Sequence, residues 1–487
     1  MKINAQPTWI EDLSPQALNS LSLNDKRTLE GSDDVLAHPG FESLDDEDIF
    51  DRVESILSEV DLTPKLREIE DSNRSKFGPR SRAKPWSERK DSLYDYFDHE
   101  DYDPGEFELV RSGRLRPSEL GAVSKNLIKS SSAGLPYLQK KGSVLTDALK
   151  NYETEVGKYP CVLYTRTQED MKTRNVWGYP ISDTLHEQRI FIPFLNVEKT
   201  MKHRAALLGP EDVDRAVTEM IRGKKEDELI VSLDFSSFDA SVSPRLAELC
   251  FSAIASHFQP AYAADVYGVF RRFVTIPIHT PSGEVVGPHG VPSGSSFTNT
   301  VDSLAQFIAS GTEYNCQIQG DDGLYVLPRS DHDVLLERMK SVDFIVNEDK
   351  SDWFDGPEGV YLQRYYHPNY LSRNGSGLGG VYSIYRALAR IKYLERWTNF
   401  SEMSIEGSDF FALRTITILE NSKHHPAFES LVRYVHSLDK HGLQFTKQGL
   451  HAYSKSMDSK ARAGVFNQYG LESGIESFET VKLIRTL

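Results

Sequence analysis

The residues in this chain best suited to chemistry are carboxylates at a few separated points. Asp321 and Asp322 are adjacent within Gln319-Gly320-Asp321-Asp322-Gly323. Cys316-Gln317-Ile318 before them and Leu324-Tyr325-Val326-Leu327 after them read as two arms of a hairpin, with Gly320 to Gly323 as its tip. Gly and Asp tolerate the positive φ angles that tight turns need. Neighbouring carboxylates repel unless a cation lies between them. Hard divalent ions take such oxygens and share them with substrate phosphates. The chemistry that calls for this tip is phosphoryl or nucleotidyl transfer. A lone Gly-Asp-Asp-Gly is most often just a solvated turn, so the remaining motifs decide.

The apolar run Leu229 to Leu233 reads as a buried strand that delivers Asp234 at its end, with Asp239 five residues further on. Ser243 and Pro244 then look like the cap and first turn of a helix running to about Phe258. Arg166, Lys172 and Arg174 place three cations within nine residues. In an extended strand Lys172 and Arg174 share a side and could clamp a triphosphate. Pro292-Ser293-Gly294 opens a loop into a helix with the apolar stripe Phe297, Val301, Leu304 and Ile308, and Thr298 and Asp302 lie one turn apart beside it. A helix near Asp331 to Lys340 leads to Asn347-Glu348-Asp349-Lys350, and Tyr361 to Tyr366 reads as one strand. Ser131-Ser132-Ala133-Gly134-Leu135-Pro136-Tyr137 is a loop that another chain could approach closely.

Positioning these groups takes a large frame. The chain has 487 residues, 39% of them hydrophobic, and should divide into two or three subdomains. No apolar run is long enough to span a bilayer, and Met1-Lys2-Ile3-Asn4 does not open like a signal peptide. Three widely spaced cysteines, Cys161, Cys250 and Cys316, suggest buried thiols in a reducing compartment. The net charge of −16 argues on its face against a nucleic-acid partner, yet screening makes charge distribution matter more than the total. Residues 1–60 are acidic, with a helix near Asp48 to Val60, and read as an extension or wrapping arm. The stretch from Lys65 to Lys90 is basic and contains Phe77 and Trp86, a mixture that suits a groove tracking a nucleic-acid backbone.

Each motif is modest alone, but their order is specific. From about Ser130 to Tyr366 the chain resembles viral RNA-dependent RNA polymerases. The template-guiding loop comes first, at Ser131 to Tyr137, then the basic strand over the incoming triphosphate, Lys172-Thr173-Arg174. Asp234 with Asp239 follows, then the Ser-Gly loop and helix at Pro292-Ser293-Gly294 with Thr298, the catalytic turn Gly320-Asp321-Asp322, the lysine loop at Asn347 to Lys350, and the primer-grip strand Leu362-Gln363-Arg364. Leu233 to Val242 and Pro292 to Ser303 look most like picobirnaviruses, with partitiviruses next; both are small double-stranded RNA viruses.

The resemblance implies an α+β right hand around an encircled active site: fingers, a palm with an RRM-like antiparallel sheet of βαββαβ type, and a helical thumb. The expected division is an acidic extension over 1–60, fingers over 61–228, palm over 229–257 and 291–369, a fingers insertion over 258–290, and thumb with C-terminal segment over 370–487. It also implies template-directed RNA synthesis by two-metal-ion nucleotidyl transfer, replicating and transcribing a double-stranded RNA genome. Asp234 and Asp321 would be the bridging ligands of Mg²⁺, supported by Asp322, with Mn²⁺ able to substitute. Lys350 would protonate pyrophosphate. Lys172, Arg174 and Arg166 would hold the triphosphate, while Asp239, Ser293, Gly294, Thr298 and Asp302 would line the nucleotide and its 2′-hydroxyl. Ser132, Gly134, Pro136 and Arg364 would meet template and primer. The expected partners are single- and double-stranded template RNA, ribonucleoside triphosphates and a capsid protein, with no membrane. The protein would be a monomer in host cytoplasm and inside the virion.

One departure stands out. Many positive-strand relatives carry Asn nine residues after the loop Ser, where this chain has Asp302. Two carboxylates near one ribose would repel and raise one pKa, so either Ser293 or Thr298 should bridge Asp239 and Asp302, or one carboxyl should be protonated. Two other readings remain. A reverse transcriptase shares the metal logic, but its turn usually carries an aromatic residue where Gln319-Gly320 stand. An RNA-packaging protein explains the acidic arm but leaves the ordered carboxylates unexplained.

Overall fold

The run Glu228–Leu233 forms the second strand of a four-stranded antiparallel sheet ordered Asp352–Phe354, Glu228–Leu233, Asp322–Pro328, Asn315–Gln319. Both faces of this sheet are covered, which explains the near-continuous apolar pattern. Val231, Leu233, Ile318, Tyr325 and Leu327 face one core with helices Pro244–Ala255, Ala263–Thr275, Thr298–Ser310 and His332–Ser341. Ile230, Leu324 and Val326 alternate to the other face, against Val213, Val217 and Ile221 of helix Pro210–Gly223. The computed structural model describes residues 1–99, 102, 113–462 and 474–487, so parts of the expected fingers and thumb segments fall outside the described residues.

A second sheet, ordered Lys2–Asn4, Gly283–Val286, Ile278–Thr280, Cys161–Thr167, Thr173–Gly178, carries the basic hairpin. Beyond Tyr366 the described elements are helices. Ile384–Lys392, Gly407–Glu420, Phe428–Leu438 and Glu479–Ile484 pack around Leu388, Leu413, Ile416, Leu431 and Val481.

The first sixty residues tie these parts together. Lys2–Asn4 pairs with Gly283–Val286, and Trp9 Nε1–H donates to Glu284 at 2.9 Å. Further on, His38 N–H donates to the Lys392 carbonyl at 2.8 Å and Leu394 N–H to that of Leu36 at 2.9 Å. Helix Asp46–Leu57 then buries Ile49, Val53 and Ile56 in the thumb core. It starts and ends slightly earlier than the expected Asp48 to Val60. The acidic extension is thus a strap from the fingers sheet to the thumb.

One expectation is narrowed here and one corrected. The basic stretch 65–90 is divided between internal ties and surface, with Lys76 and Lys90 exposed. Arg80 and Arg89 are each only 3% exposed. Arg80 pairs with Glu169 and Glu395, Arg89 donates to Asn175 and Thr165, Lys65 pairs with Asp352, and Arg67 pairs with Glu54. Tyr361 to Tyr366 is not one strand. Gly359–Tyr361 and Arg364–Tyr366 form a hairpin, and Leu362 and Gln363 both take positive φ at its tip, +50° and +61°.

Candidate active site

The hairpin of Asn315–Gln319 and Asp322–Pro328 closes with Gln319 opposite Asp322, so its loop is only Gly320-Asp321. Gly320 takes φ +65°, while Asp321 keeps negative φ, the pattern of a two-residue turn that needs Gly first. Leu233 pairs with Gly323, so Asp234, the next residue, leaves its strand alongside Asp322. Asp321 stands exposed at the tip, with Asp322 and Asp234 partly buried beside it. Burial, with Asp321 and Asp234 nearby, pushes the Asp322 carboxyl up to about 8. Burial also raises Asp234, opposed by Lys350 and reinforced by Asp321.

This carboxylate conflict fits a hard divalent cation, whose charge would reverse it. Among the described residues no three Asp, Glu, His or Cys side chains already converge into a metal cage. Mg²⁺ commonly takes one or two carboxylates and leaves its remaining positions to water and substrate phosphates, so an open acidic cleft suits it.

The lysine loop is bonded to Asp234 through the backbone. Ile345–Val346 pairs with Phe235–Ser236, Asn347 N–H donates to the Asp234 carbonyl at 2.8 Å, and Asp234 N–H donates to Ser351 Oγ at 3.1 Å. Lys350 therefore sits exposed on a loop fixed to both backbone groups of Asp234. Ser351 escaped the sequence reading, because nothing in the sequence sets it apart from a surface serine.

On the fingers sheet, Arg166 and Arg174 are direct cross-strand partners. Lys172 and Arg174 are exposed while Asn175 and Trp177 are buried, as the alternation requires. Like charges placed opposite each other destabilise a sheet. Arg166 approaches Glu395 at 3.8 Å. Lys172 and Arg174 are in no ion pair among the described residues. Burial lowers the Lys172 ammonium, as do Arg174 and Lys350, while Asp234 and Asp321 oppose them. The basic strand thus faces the carboxylate turn across the cleft.

The Ser-Gly loop is pressed onto that strand. A Cβ on Gly294 would lie 1.7 Å from the Trp177 carbonyl oxygen, so only glycine fits. Glu187, pushed up to about 7 by burial, accepts from Ser295 Oγ at 2.8 Å and Ser296 N–H at 2.7 Å. Ser293 Oγ accepts from Trp177 N–H at 3.2 Å, and Thr298 Oγ1 donates to the Pro292 and Ser295 carbonyls, both at 2.9 Å. Neither hydroxyl bridges Asp239 and Asp302, which corrects that expectation.

Burial, then Asp239 and Asp321, drives Asp302 well above its ordinary range, and burial with Asp321 pushes Asp239 up to about 7 despite Arg174. Asp302 is 4% exposed and its Oδ1 has no hydrogen-bond partner. The Tyr96 phenol also feels Asp239, Asp302 and Arg174, which puts it at the same spot.

The remaining candidates lie at the rim. Ser132 is exposed, with its Oγ 2.8 Å from the Tyr164 hydroxyl. Gly134 is buried at φ +63°, where a Cβ would meet the Tyr179 carbonyl oxygen at 2.4 Å, and Pro136 is half-buried beside it. Arg364 donates to the Asn421 carbonyl at 2.9 Å and to Asn421 Oδ1 at 2.8 Å, a tie between palm and thumb. Arg386 of the thumb helix was missed. It acts electrostatically on Asp322 and donates from Nε to the Tyr382 hydroxyl at 3.2 Å.

A palm sheet presenting three carboxylates to a basic fingers strand, enclosed by a helical thumb, defines a template-directed nucleic-acid polymerase. Residues 116–369 match the family of viral RNA-dependent RNA polymerases, and the chain belongs to that family. It is 28% identical over 452 residues to a potential RNA-dependent RNA polymerase of human picobirnavirus, covering 84% of this chain and 83% of the relative. A second relative, the RNA-directed RNA polymerase of Cryptosporidium parvum virus 1, is 25% identical over 277 residues, 49% of this chain and 52% of the relative. Two crystal structures of a human picobirnavirus RNA-dependent RNA polymerase share the fold. The first aligns with TM-score 0.82 and 23% identity over 97% of this chain and 99% of the other. An insertion-loop deletion mutant aligns with TM-score 0.80 and 24% identity over the same shares.

Proposed function

We propose that this RNA-directed RNA polymerase joins ribonucleotides by two-metal-ion nucleotidyl transfer at Asp234, Asp321 and Asp322. The observation that carries this reading is the register of Leu233 with Gly323, which sets the backbones of Asp234 and the Asp321–Asp322 turn side by side. Asp234 and Asp321 would hold the cations, Mg²⁺ with Mn²⁺ able to substitute, and Asp322 would support them. When bound, the cations supply charge neutralisation and alignment for the attacking and leaving oxygens.

The chain's own groups do the rest. Lys172 and Arg174, with Arg166 behind them, bind the triphosphate from the fingers side. Lys350 stands ready to protonate the departing pyrophosphate, a general-acid role. Asp239 accepts a hydrogen bond from the ribose 2′-hydroxyl, beside a protonated Asp302. Gly294 and Ser293 hold the floor on which the nucleotide rests, and Thr298 ties the start of the helix back to that loop. The loop of Ser132, Gly134 and Pro136 guides the template, while Arg364 steadies the primer side.

The similarity to picobirnavirus sequences favours a double-stranded RNA genome as the template copied and transcribed, with the enzyme acting as a monomer in host cytoplasm and inside a capsid. A template-dependent assay with ribo- and deoxyribonucleoside triphosphates tests the reading. Ribonucleotide incorporation by the parent and none by Asp321→Ala is expected. Deoxyribonucleotide preference would favour a reverse transcriptase, and template binding without incorporation would favour a packaging protein.

A further inference from the structure

The catalytic turn is held from behind by a buried guanidinium outside the motifs described above. Arg204 is 1% exposed. Its Nη2 is 2.7 Å from Glu198 Oε1 and donates to Asn299 Oδ1 at 2.7 Å. Its Nη1 donates to the Ile318 carbonyl at 2.8 Å and to Ser303 Oγ. Ser303 Oγ in turn donates to the Asn299 carbonyl at 2.6 Å and accepts from Gly320 N–H at 2.8 Å. One turn further along the helix, Gln306 Nε2 donates to the Asp321 carbonyl at 3.2 Å.

Asn299, Ser303 and Gln306 fall at i, i+4 and i+7, so they share one face of helix Thr298–Ser310. That face meets the turn, while Val301 and Ala305 pack into the palm core. The same helix carries Asp302 and begins at Thr298. Arg204 therefore grips both the helix at the nucleotide site and the strand that ends in Gly320-Asp321. Its planar fork reaches three acceptors in fixed directions, which a lysine point charge cannot do. Simple charge balance would need only Glu198.

We infer that Arg204 and Ser303 are positioning residues, which set where Asp321 and Asp322 are presented relative to the helix that lines the nucleotide. The inference rests on the reading that these aspartates form the catalytic turn. A shift of about 1 Å at a reacting centre can cost on the order of 100-fold in rate, and Gly320 N–H is the first backbone donor of the loop that carries Asp321.

The test uses the full-length enzyme and two variants. Ser303→Ala removes one hydroxyl, and Arg204→Lys keeps the charge beside Glu198 but removes the fork. Both should lower kcat by roughly 10- to 100-fold with Mg²⁺ while KM for the nucleotide stays within about twofold. Mn²⁺ should restore part of that loss, because Mg²⁺ demands near-ideal octahedral geometry. A merely structural role would lower activity in proportion to the folded fraction, measured by circular dichroism, and would leave the Mn²⁺-to-Mg²⁺ ratio unchanged. Either that result or parental kcat in folded Ser303→Ala overturns the inference. If Arg204→Lys fails to fold, Ser303→Ala decides alone. A parent enzyme that incorporates nothing would refute the polymerase reading instead.

Discussion

Removing the charge at Asp322 should stabilise the metal-free protein while crippling its chemistry. Asp322→Asn preserves shape and deletes the group that burial, Asp321 and Asp234 push up to about 8 from an ordinary 3.8. A carboxyl raised in the folded state binds more protons there than in the unfolded chain, so its stabilising contribution falls as pH rises from about 4 towards 8. Each pKa unit is worth about 1.36 kcal/mol. The shift therefore sets a ceiling of about 4 kcal/mol of lost stability at pH 7. Asp322 is partly open to water and coupled to its neighbours, and screening would leave about 1–2 kcal/mol of that. For a chain of this size that is roughly 1–4 °C in melting temperature.

The assay is thermal unfolding in chelator for parent and variant between pH 4 and 8. The variant should be the more stable at pH 8, with the gap closing towards pH 4. Millimolar Mg²⁺ should then stabilise the parent more than the variant, because cation binding displaces the proton. A variant no more stable than the parent at pH 8, or equal Mg²⁺ stabilisation of both, would refute the placement of an electrostatically strained carboxyl in the cation site.

Further outcomes are expected at neighbouring positions. Asp321→Ala should abolish nucleotide incorporation with an almost unchanged melt, since the side chain is exposed at the turn; retained incorporation removes it from the ligand set. Asp302→Asn should remove the carboxyl that, on ionising at high pH, would repel Asp239. Ribonucleotide selectivity, read as the ratio of ribo- to deoxyribonucleotide incorporation, should then persist to higher pH; an unmoved profile refutes the coupling. Gly294→Ala should cost about 2 kcal/mol or more and raise KM for the nucleotide, because its Cβ would fall 1.7 Å from the Trp177 carbonyl oxygen. Denaturant unfolding and nucleotide titration check it together. Lys350→Leu should cut kcat by about 10²–10⁴ in single-nucleotide incorporation, and a parental kcat would remove it from the general-acid role.

What could be read ahead of the structure followed from local physics. Gly320 had to take positive φ, and Ser243 with Pro244 had to start a helix; Ser243 Oγ accepts from Leu246 N–H at 3.2 Å. The apolar run before Asp234 had to be a strand covered on both faces. What was missed depends on partners remote in sequence. Arg80 looks like one more surface cation until it meets Glu395, 315 residues away. Arg204 carries no local mark of burial. Leu362 and Gln363 turn a hairpin in a left-handed conformation that their side chains disfavour, and no local rule selects them for it. Asp302 is the intermediate case: its type and spacing announced a conflict, but the burial that, with Asp239 and Asp321, drives its carboxyl well above the ordinary range depends on packing from elsewhere in the chain.

Stability and function pull in opposite directions at this cleft. Asp234, Asp239, Asp302, Asp321 and Asp322 repel one another on the palm, while Arg166 faces Arg174 on the fingers. Lys172 and Arg174 face the carboxylates without forming an ion pair among the described residues. A protein selected for stability alone would let these opposite charges meet. They are held apart because each half is anchored elsewhere: the carboxylate turn by Arg204 and Ser303, the basic strand by Gly294 pressed against Trp177, and the whole ring by the N-terminal strap. On the proposed two-metal reading, the gap would be completed by a molecule that brings cations to one side and polyphosphate to the other. A metal-bound nucleoside triphosphate has that charge pattern, and either component alone relieves only half of the strain.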